Sequence, residues 1–175
     1  MEVNYFGVVA ITQKFLPLIR QHKARIINIS SLLGFFSPSG SGMYSTSKYA
    51  LEALTDSLRR ELTPLGVAVV SVNPGLVKTS MEHKAIPYLQ SLATDPRVST
   101  VYPLLGRTLD KVQPLFAKAD CPDVTTNAIC AGLFESKPND RYYVGSLGGA
   151  PAFLVAFVFR TLPTWLLDLL LVVID

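Results

Sequence analysis

Tyr44 and Lys48 stand four residues apart, where the stretch YSTSKYALEAL (44–54) opens an apolar repeat. Ala50, Leu51, Leu54, Leu58 and Leu62 follow at three- and four-residue steps, the period of an amphipathic helix. Residues i and i+4 stack one turn apart on a helix, so both side chains project into the same space. A phenol ordinarily ionises near ~10, and a neighbouring ammonium favours the ionised form. A tyrosine lowered in this way exchanges a proton with an alcohol near neutral pH. The pair by itself is a weak signal, because a chain with seven Tyr and eight Lys contains about 0.3 such spacings by chance. What sets it apart is its neighbours in the chain.

Those neighbours are placed by alternating elements. Val8 to Arg20 reads as a helix with Val8, Ile11, Phe15, Leu18 and Ile19 on its apolar face and a bend expected at Pro17. RIINIS (25–30) is a β-branched run and reads as a strand. The Gly- and Ser-rich loop SLLGFFSPSGSGM (31–43) leads into the helix from Tyr44 to Thr63, which stops near Pro64 and Gly66. VAVVSVN (67–73) is a second strand, ended by Pro74-Gly75. Strand, helix and strand make a βαβ unit, and the apolar runs suggest parallel strands covered on both faces. Residues 80 to about 120 read as an excursion of short helices, Thr125 to Glu135 as a further helix and RYYV (141–144) as a final short strand. The fold class is therefore α/β.

At 175 residues the chain is at most one ordinary domain, long enough for a core. A net charge of +3 with no basic run argues against a nucleic-acid partner. Cys121 and Cys130, nine apart, and the distant His22 and His83 offer no zinc spacing, so no metal site is expected. Two cysteines in a chain of this size point to a reducing compartment. The start lacks a basic stretch followed by an apolar one, so it does not read as a signal peptide. Asn28-Ile29-Ser30 matches a glycosylation sequon but lies inside a strand expected to be buried.

In an open parallel sheet, ligands bind at the carboxyl ends of the strands. Ser31 lies just past the first strand, Tyr44 and Lys48 open the helix after its loop, and Pro74, Gly75 and Thr79 lie just past the second. Each has an ordinary structural use as well: Ser31 and Gly75 as turn residues, Asn4 as a helix cap. Their convergence on one edge of the sheet is what points to a reactive site.

NISSLLG, then Tyr44 thirteen residues after Ser31, then Lys48, then NPGLVKT resembles the catalytic half of a short-chain dehydrogenase/reductase, and MEVNYFG resembles the segment that supplies that family's active-site asparagine. The resemblance runs from about Val3 to Thr79, and element order extends it to about Gly145. It implies the later part of a Rossmann-like, doubly wound parallel sheet over residues 1–150, followed by an apolar tail over 151–175. It implies Tyr44 as the general acid/base and Lys48 as the residue that lowers its pKa and binds the nicotinamide ribose. Ser31 would hold the substrate oxygen, and Asn4 would position a water joining Lys48 to solvent. Pro74, Gly75, Val77 and Thr79 would border the nicotinamide. Asn4, Tyr44 and Lys48 thus count as both catalytic and cofactor-binding.

Dinucleotide binding in this architecture needs a Gly-rich turn after a first strand, and no such motif precedes Asn4. The expectation is that roughly 90–100 residues of the family pattern, at ~30 per βαβ unit, are missing, the cofactor-binding half among them. The residue that chooses between NAD and NADP belongs to that half, so the cofactor is NAD or NADP. The 175-residue product alone is expected neither to bind the cofactor well nor to turn over. The alternative is a catalytically inactive dimerisation or binding module.

The loop from Leu32 to Met43 and the excursion from Ser80 to about Phe116 are expected to wall the substrate, with Ser31, Leu33, Met43 and Met81 as contacts. So many apolar side chains, without a cluster of arginines for a carboxylate, favour a lipophilic alcohol or ketone. PAFLVAFVFRTLPTWLLDLLLVVI (151–174) is intensely apolar but broken by Arg160, Pro163 and Asp168, too short in its runs for the ~20 residues of a spanning helix. It reads either as an interfacial pair of helices with Trp165 at headgroup level or as a cap on the body. LPTWLLDLLL resembles C-terminal tails of the retinol- and hydroxysteroid-oxidising members of the family. A homodimer and a membrane surface are the partners this reading allows. Its location is cytoplasmic, with association to the endoplasmic reticulum membrane as the variant.

Overall fold

The computed structural model describes residues 1–174, with the side chains of 81–85 and 170–174 outside what it describes. A π-helical turn at Glu2–Phe6 runs straight into α1 (Gly7–His22), which continues through Pro17. Asn4 is therefore inside a helical turn and does not cap α1. The strand β1 (Arg25–Ile29) leads through a 3₁₀ turn at Leu32–Gly34 to α2 (Gly42–Leu62). Good helix formers fill α2, and Arg59 and Arg60 lie in its last turn, where they complement the helix dipole. A second 3₁₀ turn follows and ends at Gly66, whose φ of 79° is the left-handed conformation that favours glycine. The strand β2 (Ala68–Pro74) comes next.

The excursion holds α3 (Ser80–Thr94), the single turn α4 (Pro96–Ser99) and α5 (Leu105–Ala117). Then come α6 (Asp123–Phe134), β3 (Arg141–Val144) and a small hairpin of β4 (Ser146–Leu147) and β5 (Ala150–Pro151). The chain closes with α7 (Ala152–Thr161) and α8 (Thr164–Ile174), the pair of helices the tail pattern suggested.

The main sheet is parallel in the order β1-β2-β3, with Ile29 beside Val72 and Ser71 beside Arg141. Its alternation explains why both faces are covered. Ile26 and Val69 point to one side, where they pack with Leu62, Val67, Leu58, Leu16 and Ile19 from α1, α2 and the turn between α2 and β2. Ile27 and Val70 point to the other, so close to α6 that Gly132 has no room for a larger residue. Central β2 is buried from Val69 to Asn73, as its apolar run predicted. Asn28 is buried too and donates to Thr55 Oγ1 at 2.8 Å, which removes the sequon from the surface.

A second core lies under the carboxyl end of the sheet. Leu32 and Phe36 bury against Ala152, Val155 and Ala156 of α7, with Phe36 stacked on Phe159 at 4.1 Å between ring centres. The first helix of the tail is thus part of the body.

The segment after β2 is clamped by backbone. Gly75 N–H donates to the Val144 carbonyl at 2.9 Å and Leu76 N–H to the Ser146 carbonyl at 2.9 Å. Lys78 N–H donates to the Asp120 carbonyl, and Asp120 N–H to that of Leu76, each at 2.9 Å. A Cβ on Gly75 would lie 2.2 Å from the Ser146 carbonyl oxygen, so the clamp requires glycine there. Gly75→Ala is expected to cost about 1–3 kcal/mol through forced backbone displacement. Denaturant unfolding measures it, and a midpoint equal to that of the parent would show that the segment shifts freely.

Candidate active site

Ser31, Tyr44 and Lys48 come together at the carboxyl end of β1. Ser31 takes an extended backbone at the start of the 3₁₀ turn, where its hydroxyl accepts from Leu33 N–H at 3.2 Å. That bond fixes its direction. Tyr44 lies in the first turn of α2, half-buried, with its phenol near enough to the Ser31 hydroxyl to be influenced by it. One turn later the Lys48 ammonium donates to the Ile29 carbonyl at 3.0 Å and sits 5.6 Å from the centre of the Tyr44 ring. The two side chains do share one space, as the four-residue spacing predicted.

The electrostatics differ from expectation. Burial pushes the Tyr44 phenol above its ordinary pKa, and the Ser31 hydroxyl only partly offsets this. Burial likewise pulls the Lys48 ammonium below its ordinary value, against the opposing charge of Glu52. The expectation that Lys48 lowers the Tyr44 pKa is therefore corrected for the chain by itself. One N–H of the ammonium is taken by the Ile29 carbonyl, and withdrawal of the phenol from water is the larger effect on Tyr44.

A phenol held above its unfolded value stabilises the fold fully below about pH 10, and that contribution is lost as pH rises through the folded value. In the ultraviolet difference titration of the parent against Tyr44→Phe, the Tyr44 phenolate is expected to appear only above about pH 10. Ionisation near neutrality would show that Lys48 dominates after all.

Asn4 reaches the same turn of α2 by another route. Its amide donates to Ser47 Oγ at 3.1 Å, and Ser47 Oγ donates to the Tyr44 carbonyl at 2.7 Å. Asn4 and Lys48 also line one open groove of about 520 Å³, walled by Val8, Phe15 and Ile27, between α1 and the edge of β1. Ser47 is a link the sequence did not disclose, since a serine in a helix carries no signal of its own.

The other expected residues are distributed as follows. Pro74, Gly75 and Val77 lie in the clamped segment beside the site, with Val77 bridged to Asp120, and Thr79 directly precedes α3. Leu33 is half-buried against the core around Leu32 and Phe36. Met43 is 76 % exposed at the start of α2. Met81 lies outside the described side chains. In the excursion, Tyr88, Val101 and Tyr102 are exposed, while Leu32 and Phe36 of the loop are core.

Two charged residues behind the site went unread. Glu52 is buried, and its carboxylate accepts from Ser71 Oγ at 2.7 Å, Asn73 Nδ2 at 2.6 Å and Arg141 Nε at 3.1 Å. Arg141 also holds Asp56 at 2.5 Å. Glu52 had one available signal, its place one turn beyond Lys48 beside the apolar stripe; Arg141 had none.

Comparison with known proteins shows the family and the fold. A family described as short chain dehydrogenase matches residues 1–88. Retinol dehydrogenase 16 of Homo sapiens is 33 % identical over 96 % of this chain and 54 % of its own length. The 17-beta-hydroxysteroid dehydrogenase type 6 of Bos taurus is 47 % identical over 81 residues, 46 % of this chain and 25 % of its own. A short chain dehydrogenase from Burkholderia cenocepacia, crystallised in complex with NADP, superposes with a TM-score of 0.68 at 23 % identity, over 98 % of this chain and 56 % of its own, and so shares the fold. The chain spans about half the length of the curated relatives that it matches nearly end to end.

Proposed function

This chain belongs to the short-chain dehydrogenase family, and from that premise we propose that residues 1–150 form the catalytic part of a nicotinamide-dependent oxidoreductase. Its substrate would be a lipophilic alcohol, retinoid- or steroid-like, interconverted with the corresponding carbonyl. The carrying observation is the convergence of Ser31, Tyr44 and Lys48 at the end of β1, with the Lys48 ammonium 5.6 Å from the centre of the Tyr44 ring. The names of the relatives support the alcohol class.

The donor set fits the sugar of a nicotinamide nucleotide. An ammonium has three N–H groups, and the Ile29 carbonyl takes one of those on Lys48, leaving donors for ribose hydroxyls. Asn4, which lines the same groove as Lys48, and Pro74, Gly75, Val77 and Thr79 after β2 would complete the seat for NAD or NADP. The chemistry such a nucleotide supplies when bound is hydride transfer.

The chain's own residues handle the proton. In reduction, Ser31 donates a hydrogen bond to the carbonyl oxygen, and Tyr44 gives its phenolic proton to that oxygen as negative charge develops there. The neutral phenol favoured by burial is the donor form this step needs. Lys48 then stands close enough to stabilise the phenolate left behind. In oxidation the same groups run in reverse, with Tyr44 accepting the alcohol proton. Tyr44→Phe removes that proton while leaving the ring, and it is the deciding test.

A second reading rests on the open side of the sheet. β1 is an edge strand, and the groove beside it carries the exposed α1 residues Ile11 and Phe15. An unpaired edge with an apolar flank invites another chain, which supports an association module as the alternative to turnover.

The tail is proposed to meet a lipid surface. Phe153 and Phe157 of α7 and Trp165 and Leu169 of α8 are exposed, the aromatic and apolar composition of an interfacial anchor. Among the described residues, no helix is long and apolar enough to cross a membrane. Because α7 packs into the core, only α8 is dispensable. Removing residues 163–175 is expected to weaken co-flotation with phospholipid vesicles, with only Phe153 and Phe157 of the anchor left, while the unfolding midpoint is nearly unchanged. Removing 151–175 is expected to lower that midpoint as well, since it strips Ala152, Val155 and Ala156 from Leu32 and Phe36. Full vesicle binding without 163–175 would overturn the assignment.

A further inference from the structure

We propose that Glu52 is a positioning residue of this site, whose buried and hydrogen-bonded carboxylate, one turn further along α2, favours the charged form of the neighbouring Lys48 ammonium at the carboxyl end of β1. The inference deepens the dehydrogenase reading and rests on Lys48 acting in it.

Packing alone does not account for a carboxylate at this position. Glu52 is 6 % exposed, and it faces Ser71 and Asn73 on the central strand. Taking a carboxylate out of water is costly, and an apolar contact of similar volume would join α2 to β2 equally well. The carboxylate is nonetheless kept and aimed: Ser71 and Asn73 donate to Oε1, and Arg141 donates to Oε2. Three donors from two strands leave it little freedom to turn. The 3₁₀ turn presses on the same place, since a Cβ on Gly34 would lie 2.9 Å from Glu52 Cγ and 3.3 Å from the Lys48 carbonyl. One turn of α2 separates Glu52 from Lys48, the spacing at which helix side chains are neighbours.

The charges around Lys48 are few. Tyr44 and Glu52 lie on its own helix. From β1 it meets the Ile29 carbonyl, and Asn4 of the N-terminal turn is tied to the Ser47 hydroxyl beside it. Arg25 lines the same groove, but its guanidinium donates to the Gly132 carbonyl at 2.8 Å on α6. Arg141 stands behind Glu52, shared with Asp56, which also meets Arg59 at 3.6 Å and Arg60 at 3.8 Å. Burial acts against the Lys48 charge, and Glu52 is the group that opposes it.

The test is the titration of Lys48 by NMR after reductive methylation with ¹³C-formaldehyde, its signal assigned with Lys48→Arg. Glu52→Gln keeps an acceptor for Ser71 and Asn73 and removes only the charge, so the Lys48 midpoint is expected to fall. Arg141→Gln uncovers the carboxylate, so the midpoint is expected to rise. A merely structural clamp would disturb both variants in the same sense or move neither, and either result overturns the proposal. If Glu52→Gln alone does not fold, the neutral pair Glu52→Gln with Arg141→Gln is compared with Arg141→Gln: a lower Lys48 midpoint in the double variant supports the proposal, and an equal or higher one overturns it. The measurement needs neither nucleotide nor substrate. Its failure leaves the Tyr44 reading untouched, and failure of that reading leaves the titration result standing.

Discussion

Tyr44→Phe is expected to lower kcat by about 10²–10⁴-fold, the range that a positioned general acid or base contributes. The assay takes the protein as isolated from its source, with a retinoid or steroid alcohol and each nicotinamide nucleotide in turn. The ring remains, so the packing of the first turn of α2 against the strand ends remains. Only the phenolic oxygen near Ser31 is lost. The loss should therefore fall on kcat, with the circular dichroism spectrum and the unfolding midpoint little changed. A removed interaction that forms only in the transition state has this signature. Ser31→Ala should reduce the rate by a smaller factor, because Tyr44 keeps its proton while the substrate oxygen loses one hydrogen-bond donor. Full activity in Tyr44→Phe would end the proton-transfer assignment. Absence of turnover in the parent itself, with stable association to another chain, would favour the module reading.

Glu52→Ala carries the largest expected cost to stability, about 3–5 kcal/mol, the range for breaking a buried pair by removing one partner. Arg141, 15 % exposed at its side chain, would keep its charge with Asp56 alone. The donors of Ser71 and Asn73, both fully buried, would lose their acceptor. Denaturant unfolding of parent and variant under one set of conditions measures the difference. A loss below about 1 kcal/mol would mean that water or a shifted side chain replaces the carboxylate. Glu52→Gln should cost less, since the amide oxygen still accepts from Ser71 and Asn73, and the gap between the two variants separates hydrogen bonding from charge.

Much of the architecture was legible because it is written locally. The helical period after Tyr44 predicted α2, and the β-branched run at 67–73 predicted the central strand, each to within two residues. RYYV predicted β3 without error. Pro17 falls inside the first helix, and α1 continues past it to His22. The excursion was readable as short helices, and several of its apolar side chains, Tyr88, Val101 and Tyr102 among them, are exposed.

By itself, then, the sequence determined the parallel α/β order, the meeting of Ser31, Tyr44 and Lys48 at the strand ends, and the break of the tail into two helices at Pro163. These follow from periods, turn residues and spacings within about twenty positions, which a chain expresses wherever it folds. The tertiary structure alone decided how those groups are tuned. Tyr44 is raised and not lowered because burial depends on everything that packs around it. Arg141 meets Glu52 across 89 positions because the register of β2 and β3 sets it beside Ser71, on the face that α2 covers. Ala152, Val155 and Ala156 become core only because the turn after β1 offers Leu32 and Phe36 to receive them. Contacts across such distances are set by sheet register and packing, which have no signature in the spacing of residues along the chain.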